Sequence, residues 1–77
     1  MMTISQELYL RQRELLEQLD ELDEAIVEGS AWLERRVDSD AEDFTEQRER
    51  LAWLHRQQAG VRVMLGETER ALLTLDE

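Results

Sequence analysis

Apolar residues recur at alternating intervals of three and four residues along two stretches of this chain of 77 residues. Such spacing aligns side chains along a single stripe of an α-helix, which is the pattern of a coiled-coil seam. The first stripe consists of Leu8, Gln12, Leu15, Leu19, Leu22, Ile26, Gly29 and Leu33. The second consists of Phe44, Gln47, Leu51, Leu54, Gln58, Val61, Leu65, Thr68, Leu72 and Leu75. The pattern predicts two long helices.

The segment between the stripes predicts a tight turn. Ser39 and Glu42 have the spacing of a capping box, in which each side chain bonds the other residue's backbone amide at a helix start. We therefore predict a single all-α domain over residues 1–77, with helix 1 from about 5 to 37, a turn at 38–40 and helix 2 from about 41 to 75. So short a connection requires an antiparallel hairpin, in which facing residues have numbers summing to roughly 78.

Gly29 and Ser30 are the one weak point of helix 1, because glycine costs about 1 kcal/mol inside a helix. We expect a continuous helix, with Gly29 allowing a bulky facing side chain to come close. The alternative is a break at Gly29-Ser30 that gives a three-helix monomer.

Two helices share only one line of contact, so further apolar side chains remain outside the seams. Indole rings such as those of Trp32 and Trp53 favour interfaces. The residues predicted to form an interface are Tyr9, Leu16, Trp32, Trp53, Val63, Met64 and Leu73. Self-association into a homodimeric four-helix bundle would cover them, and so would a different protein partner.

The charge of the chain restricts its partners. Nine basic residues, all arginine, stand against nineteen acidic ones and give a formal charge of −10. This charge disfavours nucleic acid and anionic membranes and favours a basic protein partner, including one that the chain binds as an acidic mimic of nucleic acid. No apolar run is long enough to span a membrane and no signal peptide is evident, so we expect a cytoplasmic protein.

No catalytic motif is present. His55 is the single histidine, there is no cysteine, and the acidic residues from Glu17 to Glu28 spread around the helix instead of converging. We predict no catalytic, cofactor-binding or metal-binding residues, and a chain that is not an enzyme.

The run from Leu19 to Val27 is similar to the first-helix pattern of all-helical chorismate mutases. That resemblance implies substrate-binding arginines at two positions where this chain has Leu16 and Leu33, and an active-site lysine, a residue type that this chain lacks. A chorismate-mutase-like enzyme is therefore a remote alternative.

The length and hairpin design resemble the small co-chaperones of type III secretion, although no diagnostic motif is shared. This resemblance implies a hetero-complex with a larger chaperone. The general expectation is an acidic helical hairpin that acts through protein–protein interaction as an adaptor, small chaperone, inhibitor or regulator.

Overall fold

The computed structural model describes residues 1–35 and 41–75, which contain two helices, α1 (Ile4–Arg35) and α2 (Ala41–Leu75). The helices pack side by side in opposite directions. The predicted all-α helical hairpin is thereby confirmed. The predicted turn at 38–40, the end of predicted helix 1 at 36–37 and the Ser39 half of the capping box lie outside the described residues.

A capping box that the sequence analysis missed starts α1. The backbone amide of Gln6 donates to Thr3 Oγ1 over 3.2 Å, and the backbone amide of Thr3 donates to Gln6 Oε1 over 3.0 Å. The Glu7 amide also donates to the Thr3 carbonyl over 3.0 Å, closing the first turn. Thr3 is therefore the residue that caps the helix.

The two predicted stripes face each other along the hairpin. Every member of the first stripe is buried or half-buried, and so is every member of the second except Leu75. The most buried apolar side chains are those of Leu15, Leu54, Val61 and Leu72. Leu75 is 48% exposed, contrary to the prediction that it lies in the seam. In the antiparallel hairpin Leu75 lies beside the residues that precede α1, which begins at Ile4, so no helix covers it.

Gly29 lies inside an unbroken α1, so the three-helix alternative is wrong. A Cβ atom at this position would lie 2.8 Å from Gln47 Nε2 and 2.9 Å from Leu51 Cδ2. The missing side chain thus lets α2 approach closely, as predicted. Gly60 and Gly66 differ, because a Cβ atom on either would have no neighbour within 4 Å.

Two polar residues of the second stripe are buried and have hydrogen-bond partners. The side-chain amide of Gln58 donates to the Asp23 carboxylate on α1. The Thr68 hydroxyl donates to the Met64 carbonyl of its own helix over 2.9 Å. Within residues 1–35 and 41–75 no buried side-chain nitrogen or oxygen lacks a partner.

The hairpin is a rod of 57 × 17 × 17 Å with a radius of gyration of 17.4 Å. A compact chain of this length would have a radius of gyration of about 11.5 Å. The rod shape leaves its long sides open to solvent.

Candidate interaction surface

One long side of the rod carries both tryptophans. On α1, positions 4, 11, 18, 25 and 32 are seven residues apart and therefore lie on the same side of the helix. The same spacing of seven residues places two neighbouring columns on one side of α2. The first column consists of positions 50, 57, 64 and 71, and the second of positions 46, 53, 60, 67 and 74. We call this surface the tryptophan face.

Contacts between the helices place these positions together. The Arg11 guanidinium lies 4.0 Å from Met64 Sδ. Ala25, Trp32 and Arg50 line one shallow depression that spans the two helices. Gln18, Trp53 and Gln57 line a second.

Four glutamates at intervals of seven residues border the tryptophan face on α1. They are Glu7, Glu14, Glu21 and Glu28. Glu28 lines the depression of Trp32, Glu21 lines that of Trp53, and Glu7 and Glu14 line a third depression beside Arg11. All four are exposed, so this edge of the face is a column of carboxylates.

The residues predicted as one interface fall on different sides of the rod. Trp32, Trp53 and Met64 lie on the tryptophan face; Trp53 is 49% exposed and Met64 36% exposed, whereas Trp32 is half-buried.

The other predicted residues lie elsewhere. Tyr9 and Leu16 each follow a seam residue of α1 and so lie along its opposite edge, and both are exposed. Val63 and Leu73 are 62% and 68% exposed on the outer surface of α2. The seven residues therefore do not form one continuous surface.

The charges separate by helix. From Glu14 to Glu34, α1 has eight acidic residues and no basic one. From Arg50 to Gly66, α2 has three arginines, one histidine and no acidic residue. Because the helices are antiparallel, these two stretches lie alongside each other.

The two charged stretches are not joined by ion pairs within the hairpin. Across the described part of the chain the one salt bridge joins Arg13 to Glu17, 3.4 Å apart on α1 and both exposed. The carboxylates of this stretch of α1 other than Glu17 and Asp23, which bonds Gln58, thus remain available to other molecules, as do Arg50, Arg56 and Arg62 of α2.

The described residues contain no group of three or more histidine, cysteine, aspartate or glutamate side chains placed to hold a metal ion. Neither of the two described helices is long and apolar enough to cross a membrane. Leu16 is exposed and Leu33 is half-buried in the seam, so the positions where the chorismate mutase resemblance requires arginines are apolar.

No protein-family model, no curated protein and no solved structure matches the chain.

Proposed function

We propose that this protein acts by protein–protein interaction, without catalysis, and that it pairs with a second copy through the tryptophan face to form a four-helix bundle. The observation that carries the proposal is the exposed area. The chain has 6282 Å² of accessible surface, whereas a compact monomer of 9.1 kDa would have about 4,900 Å².

The excess of about 1,400 Å² is larger than the roughly 800 Å² that each partner buries in a standard interface. Trp53 and Met64 lie near the centre of the rod's length, where a partner of the same length would cover them. Large aromatic side chains contribute most of the binding energy when they lie centrally in an interface. Both features support pairing through this face.

Sedimentation equilibrium over a range of concentrations tests the proposal. The wild-type chain should have twice the 9.1 kDa monomer mass, and Trp53→Ala should shift the equilibrium to monomer. Leu73→Ala is the matched control, because it removes an exposed apolar side chain of α2 outside the tryptophan face. Circular dichroism should show both variants helical, since neither residue is buried. A wild-type chain that stays monomeric would refute the pairing.

A second candidate function is binding of a basic protein by the acidic stretch of α1, with the hairpin acting as a mimic of nucleic acid. The absence of any basic residue between Glu14 and Glu34 supports it. Such binding should weaken steeply with added salt because screening acts on exposed charges. Binding through the tryptophan face should instead resist salt and fail in Trp53→Ala.

The co-chaperone alternative replaces the second copy by a larger helical chaperone on the same face. It rests on length and hairpin design alone. The same sedimentation experiment separates it from self-pairing, because it requires a monomer when the chain is alone.

A further inference from the structure

We infer that the partner of the tryptophan face is a second copy stacked so that α1 of each hairpin lies over α2 of the other, with the two-fold axis along the rod. This inference rests on the proposed self-pairing and adds its geometry. The other symmetric way to stack the two faces places α1 over α1 and α2 over α2. The charges and side-chain sizes on the face separate the two arrangements.

The charges favour α1 over α2. The glutamate column of α1 would lie over the partner's α2, on which Arg50 stands at the level of Glu28. The same stacking brings Arg11 to the level of the partner's Glu67. In the α1-over-α1 arrangement the glutamate columns of the two copies would face each other, and like charges held side by side repel.

Side-chain sizes fit the same arrangement. Within one hairpin, Gly29 lies between Gln47 and Leu51. Residues of α1 and α2 at the same height along the rod therefore have numbers that sum to roughly 78. Stacking along the rod keeps these levels, so Trp53 of one copy meets Ala25 of the other. Gly60 likewise meets Gln18. In these two pairs a larger side chain faces a small residue, which allows close packing.

Gly60 contributes further because nothing lies within 4 Å of a Cβ atom there in the single hairpin. Glycine weakens a helix interior by about 1 kcal/mol relative to alanine. In the stacked dimer, glycine at position 60 leaves room for the partner's Gln18. The dimer therefore explains why glycine is present here, which the single hairpin does not.

Charge reversal distinguishes the two arrangements, because it should weaken the dimer in one and tighten it in the other. Glu28→Arg should raise the dimer dissociation constant about tenfold at low salt, because two symmetric ion pairs with Arg50 of the other copy become repulsive contacts. Arg50→Glu should do the same, and the double variant Glu28→Arg/Arg50→Glu should return close to the wild-type value. Asp20→Arg is the matched control: it changes the net charge equally from an exposed position of α1 outside the face.

The control matters because a less negative chain repels its copy less. Asp20→Arg should therefore tighten the dimer slightly, whereas Glu28→Arg should weaken it. If Glu28→Arg tightens the dimer more than Asp20→Arg does, the glutamate columns face each other and the inferred stacking is wrong. If the wild-type chain is monomeric at every concentration, both the self-pairing and its geometry are wrong.

Disulfide trapping gives an independent readout, because the chain has no cysteine of its own. Gln18→Cys and Gly60→Cys, each carrying one cysteine, are mixed and oxidised. The stacking predicts that the mixed disulfide forms faster than either like pair. Rapid disulfide formation in Gln18→Cys alone would support α1 over α1 and overturn the inference.

Discussion

Gly29 provides the sharpest test of how the two helices pack. In Gly29→Ala, the better helix propensity of alanine contributes about 1 kcal/mol of stability. The new Cβ would lie 2.8 Å from Gln47 Nε2 and 2.9 Å from Leu51 Cδ2, whereas carbon atoms pack best at about 3.5–4.0 Å. Overpacking of this kind costs about 1–3 kcal/mol. The net result should lie between no change and about 2 kcal/mol of destabilisation.

Gly66→Ala is the matched control, since it makes the same substitution inside a helix with nothing within 4 Å of the new Cβ. It should gain about 1 kcal/mol, which is about 4–8 °C in melting temperature for a chain of this size. Urea unfolding followed by circular dichroism measures both variants. Wild type and variants must be compared at the same protein concentration, because pairing would link stability to concentration.

A double-mutant cycle identifies the contact responsible. In a Leu51→Ala background the clash with Leu51 is gone and only the contact with Gln47 Nε2, at the end of a flexible side chain, remains, so Gly29→Ala should recover part of the propensity gain. The reasoning is refuted if Gly29→Ala stabilises the wild-type chain as much as Gly66→Ala does, because α2 would then not approach α1 closely at this position.

Further predictions concern the helix start, the core and the buried amide. Thr3→Ala should destabilise the chain by about 1 kcal/mol because it removes the cap of α1, as thermal unfolding would show. Leu54→Ala should cost about 2–5 kcal/mol in urea unfolding, whereas Val27→Ala, at a position 67% exposed, should change stability by less than about 0.5 kcal/mol. Asp23→Ala should cost about 1–3 kcal/mol, because the buried Gln58 amide loses its acceptor. Asp23→Asn keeps an acceptor oxygen and should recover most of that loss; equal losses in the two variants would contradict this role.

The seams were predictable from sequence because a helical repeat fixes which residues share a stripe. A stripe also sets its own partner once the connection is short, which is why the close approach at Gly29 could be anticipated. The failure at Leu75 is one of length: a seam residue is buried only where the facing helix extends beside it, and α1 starts too late.

The capping box at Thr3 and Gln6 was present in the sequence but lay before the first apolar stripe residue, Leu8. The bond from Gln58 to Asp23 could not be read from either stripe alone, since it joins a seam residue to a side chain on the edge of the other helix. Such pairs depend on the relative rotation of the helices, which periodicity does not fix.

The predicted interface shows a similar division. The spacing shows which residues lie outside a seam. It was not used to separate the two edges of α1, although Tyr9 and Leu16 lie on one edge and Trp32 lies on the other. Counting in sevens from each residue separates these edges and also finds the column from Glu7 to Glu28. Hydrophobicity, by which the seven residues were grouped, carries no information on the side of the helix that a residue occupies.

The separation of charge between the helices gives a single hairpin a permanent electric dipole across its short dimension, with the negative end on α1. A net charge of −10 conceals this asymmetry, because one edge of the rod attracts cations much more strongly than the other. Stacking about an axis along the rod would set two such dipoles in opposite directions and cancel them. A change in pairing would therefore change how the molecule orients in an electric field, and transient birefringence could follow it without any label.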